Sequence, residues 1–342
     1  MKLEIKDFSL NYFGHQDSLH SIDYTFNAGV NVVFGVNGSG KTSLLKGIAG
    51  VNYVHTGSFT LNDEDITLDK NSKISFVFDD LGFFERRTLR YNLYYPLKLR
   101  KVPKDMADAM VNEWMHKFEL SEYILDTPIF RLSADDRAKA ALIRGFYRNS
   151  QVIIFDNPLS RLNPTQRRYV FNLLARHMLT AKGIVIYATD NVEEVTLLNS
   201  QTLVLSYGYK VENGIPDSFI SSPKCLSTSE YFIPYLNKRI VTIKENGFEL
   251  FGENYELDLN NTQAQTFIGK EVVLAFKPTA VVEGKLNAEK IISLNTINGE
   301  VYLLKVGNEE IYSASNLANV DIDLKQILLF DITSEKLIYS KK

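Results

Sequence analysis

The sequence predicts two parts: an α/β domain with a mainly parallel sheet, followed by a smaller all-β domain, a small barrel or sandwich. Three observations support this division. A glycine-rich loop, Gly35-Val36-Asn37-Gly38-Ser39-Gly40-Lys41-Thr42, lies between an apolar run and a helix-like stretch. Further apolar runs, Val152–Asp156 and Gly183–Ala188, flank a helical stretch near residues 164–179, an alternation that implies parallel strands. Beyond about residue 239, short β-type runs follow one another, separated by Gly, Asn and charged turns.

In chain order, Leu3, Ile5 and Phe8-Ser9-Leu10 suggest a first strand and Ile22–Phe26 a second, both with a period of two. Phe13-Gly14 falls in the turn between them, where an aromatic either stacks on a base or closes a hairpin core. Gly29–Phe34 reads as a buried strand. The loop at 35–42 fits the phosphate-binding pattern G-x-x-x-x-G-K-[ST] without a mismatch. Ser43–Ala49 then reads as the first turns of a helix. Strand, glycine loop and helix N-terminus make an anion site, because backbone N–H groups converge there and the helix dipole adds partial positive charge. Gly35, Asn37, Gly38, Ser39, Gly40, Lys41, Thr42 and Ser43 are therefore the expected nucleotide contacts. Lys41 would reach the β/γ-phosphates and the Thr42 hydroxyl would ligate Mg²⁺.

Gly57–Asp65 reads as strand and turn, and Ile74–Phe78 as another buried strand. Leu93, Leu97, Met106, Met110, Trp114, Phe118 and Leu120 follow mainly helical spacing, with Pro96 and Pro103 as breaks between helices. Asp156 ends an apolar strand, which suits the carboxylate that holds Mg²⁺ opposite a phosphate loop. The later runs Arg239–Ile243, Val272–Phe276, Glu300–Leu304 and Gln326–Phe330 make up the β-rich domain. The expected division is residues 1–225, with a helical part at about 82–145, and residues 226–342.

Composition limits the functional classes. With 38 basic against 41 acidic residues and a net charge of −3, the chain has no basic excess for a nucleic-acid surface. The single Cys225 leaves no internal disulfide framework. No run approaches the ~20 apolar residues that span a bilayer, and the N-terminus alternates like a strand rather than a signal peptide. A soluble protein is expected, with any membrane role exercised through a partner.

Nearly the whole chain, in order, resembles the ATP-binding subunit of ABC-type importers, closest to the group that energises uptake of maltose and related carbohydrates. Phe13 stands where that family places an aromatic under adenine. Tyr95–Pro103 resembles part of its helical subdomain, and Leu132-Ser133-Ala134-Asp135-Asp136-Arg137 occupies the position of its L-S-G-G-Q-R signature. Phe155–Asn163 occupies Walker B and the D-loop, and Tyr207–Pro216 the closing β-hairpin. Ala275–Thr279 and Leu329–Asp331 resemble turns of the β-barrel regulatory domain. The resemblance implies a P-loop NTPase (ABC ATPase) domain with a helical subdomain and a small OB/barrel-like regulatory domain. It further implies ATP and Mg²⁺ as cofactors, Ser133 as a nucleotide contact, and Thr42, Asp79 and Asp156 as metal-holding residues. Its implied partners are transmembrane permease subunits and a second ATP-binding subunit, paralogue or self, in a head-to-tail dimer. Its implied location is the cytoplasm, peripheral on the inner face of the cell membrane, docked through Leu81, Phe83 and Phe84.

The departures fall on the chemistry. Asn157 stands where the family carries its catalytic Glu, and Asp190 where it carries the switch His; none of His15, His20, His55, His116 and His177 is nearby in sequence. Asp79 replaces the Gln that senses Mg²⁺, and Ala134-Asp135-Asp136 replaces Gly-Gly-Gln. An amide orients a water but takes no proton, and losing general-base help is typically worth ~10²–10⁴-fold. Added carboxylates also oppose a triphosphate: at ~4 Å and an effective dielectric of 20, two unit charges repel by about 4 kcal/mol. No intact catalytic residue is expected, and hydrolysis should be slow or absent. The alternatives are a soluble nucleotide-sensing pseudo-ATPase not tied to transport, and an active ATPase with rewired residues.

Overall fold

The computed structural model describes residues 1–11, 19–51, 56–66, 73–147, 150–260, 262–296 and 299–340, and these divide into two units, Met1–Pro216 and Asp217–Lys342. Residues 217–225, expected in the first domain, cluster with the second. Phe13 lies outside the described residues.

The first unit opens with β1 (Lys2–Leu10), β2 (Leu19–Asn27) and β3 (Gly29–Phe34), then α1 (Lys41–Ile48), β4 (Thr56–Leu61), β5 (Glu64–Asp65) and β6 (Ile74–Val77). Next come α2 (Leu89–Leu99), α3 (Lys104–Lys117) and α4 (Ala134–Phe146). It closes with β7 (Val152–Asp156), α5 (Pro164–Leu179), β8 (Ile184–Thr189), α6 (Val192–Leu198), β9 (Gln201–Ser206) and β10 (Tyr209–Gly214). One antiparallel sheet runs β2-β1-β4-β5, and a six-stranded sheet runs β10-β9-β3-β8-β7-β6. In the larger sheet β9, β3, β8, β7 and β6 are parallel, and β10 is an antiparallel edge.

Burial explains the two strand patterns. Every residue of β7 and β8 is buried, because a parallel sheet is covered on both faces and reads as a continuous apolar run. In β1, Leu3 and Ile5 turn inward while Lys6 and Asp7 are exposed, as expected of a strand with one face on the core. Leu3, Phe8 and Phe59 from the small sheet join Leu44, Leu45 and Ile154 in one core beneath α1. The phosphate loop is thereby held between two packed layers.

One helical expectation is corrected. Pro96 does not break the chain but sits inside α2, three residues before its end. Its ring removes one backbone donor, while the buried Leu93 and Leu97 keep the helix on the core and Arg100 N–H reaches Pro96 O at 3.3 Å. In α3 the inward stripe is Ala107, Val111 and Met115, with Phe118 following, and Met106 is 59% exposed. Met106, Met110 and Trp114 have helical spacing too, but they belong to the neighbouring stripe. Pro103 does mark the start of α3.

The second unit begins with α7 (Pro216–Ser221, entering at Asp217) and α8 (Leu226–Phe232). It continues through β11 (Asn237–Lys244), β12 (Gly247–Leu250), β13 (Glu253–Glu256), β14 (Glu271–Phe276), β15 (Val281–Thr296), β16 (Gly299–Val306), β17 (Glu309–Ser313), β18 (Asn319–Ile322), β19 (Ile327–Asp331) and β20 (Leu337–Ser340). These strands make antiparallel sheets in the orders β13-β12-β11-β14-β19-β20 and β17-β16-β15-β18, enclosing an apolar core that includes Ile243, Leu274, Phe276, Leu304, Ile311 and Leu329. The all-β second domain is as expected.

Candidate functional site: a phosphate-loop cleft

At the carboxyl ends of the parallel strands lies an open cleft of about 1290 Å³. Open α/β sheets bind ligands at this edge. Its floor is the turn from β3 into α1. Gly40 precedes the helix at φ 101°, a left-handed conformation that L side chains avoid. Gly35 has no room for a side chain, since a Cβ there would lie 2.4 Å from both Leu205 O and Ser39 Oγ. Asn37, Gly38, Gly40, Lys41, Thr42 and Ser43 line the cleft. Gly35 and Ser39 support it from behind: Gly35 O accepts from Lys41 Nζ at 2.8 Å, and Ser39 O accepts from Gly208 N–H at 3.1 Å.

Lys41 is buried and donates to Val36 O at 3.0 Å as well. Burial lowers its ammonium pKa, with the charges of Asp190 and then Asp156 opposing. Its bonds to the loop carbonyls fix the cation in the cleft lining.

Beneath the loop, Asp156 is fully buried and accepts from the Thr42 hydroxyl at 3.1 Å. Its second oxygen has no hydrogen-bond partner among the described residues. Burial pushes its carboxyl up to about 6, and the charge of Asp79 adds to this. A buried carboxylate with an unused oxygen beside a hydroxyl suits a hard cation, which favours oxygen ligands. Among the described residues no cluster of three or more His, Cys, Asp or Glu could hold a metal alone. Mg²⁺ characteristically takes one or two carboxylates and completes its shell with phosphate oxygens and water, so the donor set fits Mg²⁺ delivered with a nucleotide. Thr42 and Asp156 are the residues that would hold it, with Asp79 on the cleft wall.

The opposing wall carries Asp79, Asn157, Ser160 and Asp190. Asn157 follows Asp156 with φ 43°, its N–H bonded to Ala188 O at 3.0 Å, and its amide oxygen is buried without a partner among the described residues. Thr189 is fully buried and hydrogen-bonds Glu194, leaving Asp190 to face the cleft. Neither Thr189 nor Asp190 supplies an imidazole.

Ser133 is not brought to this cleft. It caps α4, accepting from Asp136 N–H at 3.2 Å while its hydroxyl donates to Asp136 Oδ2 at 2.7 Å. This is a local helix-start arrangement.

Sequence reasoning missed two features of the wall. His20 and Tyr209 stack with ring centroids 4.1 Å apart, and Tyr207 and Gly208 line the same mouth; the β9–β10 turn brings them in. Arg167, on α5, binds Glu194 through Nε at 2.6 Å and Asp190 through Nη2 at 3.2 Å. Asp190, an added carboxylate in the sequence, is thus paired with a cation. Only the ion pair reveals this, because Arg167 looks like any helical surface arginine in sequence.

A family profile described as ABC transporter matches residues 19–160. The chain is 26% identical over 343 residues to the trehalose/maltose import ATP-binding protein MalK of Thermococcus litoralis, covering 90% of this chain and 91% of that protein. It is 31% identical over 262 residues to the sn-glycerol-3-phosphate import ATP-binding protein UgpC of a Ruegeria species, covering 73% and 74%. Among solved structures, cbiO1 of Clostridium perfringens, part of the ABC transporter complex cbiONQ, superposes with a TM-score of 0.57 at 20% identity, covering 64% of this chain and 90% of that one.

Proposed function

This chain belongs to the ABC transporter family, and from that premise we propose that it is the ATP-binding subunit of an importer for carbohydrate or a closely related solute, binding Mg-ATP with impaired hydrolysis. The observation that carries the proposal is that Lys41 lies in the phosphate-loop cleft with Thr42 bonded to Asp156, while the residue after Asp156 on the same cleft is the amide Asn157.

Lys41 would meet the terminal phosphates, the loop N–H groups and the α1 N-terminus would take the charge of the others, and Asp156 with Thr42 would hold the cation. Bound Mg²⁺ neutralises charge on the phosphate oxygens. Asn157 can hold a water by its amide but cannot accept its proton, so the step that depends on general-base help is slowed. On this reading binding is kept and hydrolysis is slowed.

The solute assignment rests on the import proteins to which the chain is similar, which act on trehalose/maltose and sn-glycerol-3-phosphate. No helix among the described residues is long and apolar enough to cross a membrane, so the subunit would sit on permease partners at the cytoplasmic face. A groove lined by Phe78, Leu81, Phe84, Tyr95, Leu99 and Arg144 suits that docking. Phe84 is 47% exposed there and packs edge-on against Tyr91 and Tyr95. Leu81 is buried and Phe83 lies beneath Arg144, so of the three expected docking residues Phe84 offers the free surface. Ser133, remote from its own cleft, would serve the nucleotide of a second subunit in a head-to-tail dimer.

Purification from the host, with identification of the co-purifying chains and an ATPase assay, tests this reading. Membrane subunits, Mg-ATP binding and a second ATP-binding subunit that carries the turnover are expected. Ordinary turnover by this chain alone overturns the impaired-hydrolysis part. A stable soluble homodimer without membrane partners favours the nucleotide-sensing regulator instead.

A further inference from the structure

We infer that Arg167 is a positioning residue for the nucleotide cleft: by holding Asp190 against the wall as a neutralised carboxylate, it sets how well a third phosphate is accepted beside Lys41. This rests on the reading of the cleft as a nucleotide site.

The geometry is a fork with three partners. Arg167 Nε donates to Glu194 Oε1 at 2.6 Å, and Nη2 donates to Glu194 Oε2 at 3.2 Å, Thr189 Oγ1 at 3.1 Å and Asp190 Oδ1 at 3.2 Å. Glu194 is itself buried and receives a hydrogen bond from the Tyr187 hydroxyl at 2.9 Å. The arginine is fixed at its base too: it lies in the first turn of α5, where its N–H bonds Asn163 O at 2.8 Å and the Asn163 side chain caps Gln166 N–H. A planar guanidinium gripped bidentately by a buried carboxylate has little freedom, so the position of its remaining donor toward Asp190 is determined.

Asp190 faces two cations. It lines the cleft with Lys41. On the other side it is bound by Arg167, whose side chain is 15% exposed against 26% for Asp190. The Asp190 carboxylate and the Lys41 ammonium carry opposite charges and share that lining. When a terminal phosphate arrives, the carboxylate competes with it for the same ammonium and repels it. Arg167 offers Asp190 a second partner, so Lys41 can be surrendered to the phosphate. A diphosphate, which lacks the terminal group, tests this competition less.

The experiment measures Mg-ATP and Mg-ADP affinity of the full chain by calorimetry in wild type, Arg167→Gln, Asp190→Asn and the double variant. Because Arg167→Gln leaves Glu194 as a buried unpaired charge, Arg167→Gln/Glu194→Gln is measured beside it, alone and with Asp190→Asn. The ratio of ATP to ADP affinity should fall about tenfold when the guanidinium is lost. Adding Asp190→Asn should restore it, because the carboxylate that the arginine controls is gone. A ratio unchanged without Arg167, or a fall that persists when Asp190 is also replaced, overturns the inference and leaves Arg167 as a structural residue alone. A folded wild-type chain that binds neither nucleotide overturns the nucleotide-site reading itself, and this inference with it.

Discussion

The two walls of the phosphate-loop cleft are built on different physical principles. On the loop side, backbone makes the site: Gly35 excludes a side chain by contact, Gly40 takes φ 101°, and Lys41 is aimed by two carbonyls. On the opposite side the chemistry would depend on single side chains at strand ends, and there Asn157 and Asp190 stand. A backbone-built anion site survives most side-chain replacement around it. A proton acceptor is lost with one side-chain replacement, and the strand that carries it remains intact. Binding and catalysis can thus part company within one cleft.

Replacing Lys41 breaks the binding wall most severely. Lys41→Ala should weaken Mg-ATP binding by about a hundredfold, from the loss of a buried charge-assisted contact, as read by calorimetry. Affinity that survives would mean the triphosphate does not lie in this cleft. Asn157→Glu sharpens the other wall: single-turnover phosphate release should rise by about tenfold to a hundredfold, the low end of general-base help, because no imidazole accompanies it. An unchanged rate would put the defect elsewhere on the wall.

Asp156 joins the walls, and its pH behaviour has a definite sign. Its folded-state value of about 6 lies above the ordinary 3.8, so between these values the folded chain holds more protons than the unfolded chain. Stability therefore falls as pH rises through that window and stays reduced above it. Asp156→Asn should stabilise the nucleotide-free protein by about 3 kcal/mol at pH 7, with the gain vanishing near pH 4, while Mg²⁺ affinity is lost. Denaturant titrations at the two pH values check this, and no gain at pH 7 would contradict an uncompensated buried charge. In the wild type, Mg-nucleotide affinity should fall below about pH 6, since the cation must displace that proton. The smallest effect is expected outside the cleft: Ser133→Ala removes the α4 cap and should lower unfolding free energy by about 1 kcal/mol, with any ATP-dependent dimer weakened in parallel.

The sequence was most readable where local geometry dictates residue type. Gly35, Gly38 and Gly40 announce the loop because few other residues fit there, and the apolar runs of β7 and β8 announce buried parallel strands. Pro96 misled because burial of Leu93 and Leu97 outweighs one missing backbone bond. In α3, Met and Trp share the helical spacing with Ala and Val, so spacing alone does not say which stripe turns inward. Arg167 was not legible at all: its partners Thr189, Asp190 and Glu194 lie 22, 23 and 27 residues away, and no periodic pattern marks an ion pair formed between a helix and a strand end.

The left-handed backbone at residue 157 makes the present state easier to keep than to reverse. Asn is one of the few side chains at ease at φ 43°, whereas a long carboxylate side chain in the same conformation costs on the order of 1–2 kcal/mol. A proton acceptor placed at this position must therefore trade fold stability for rate.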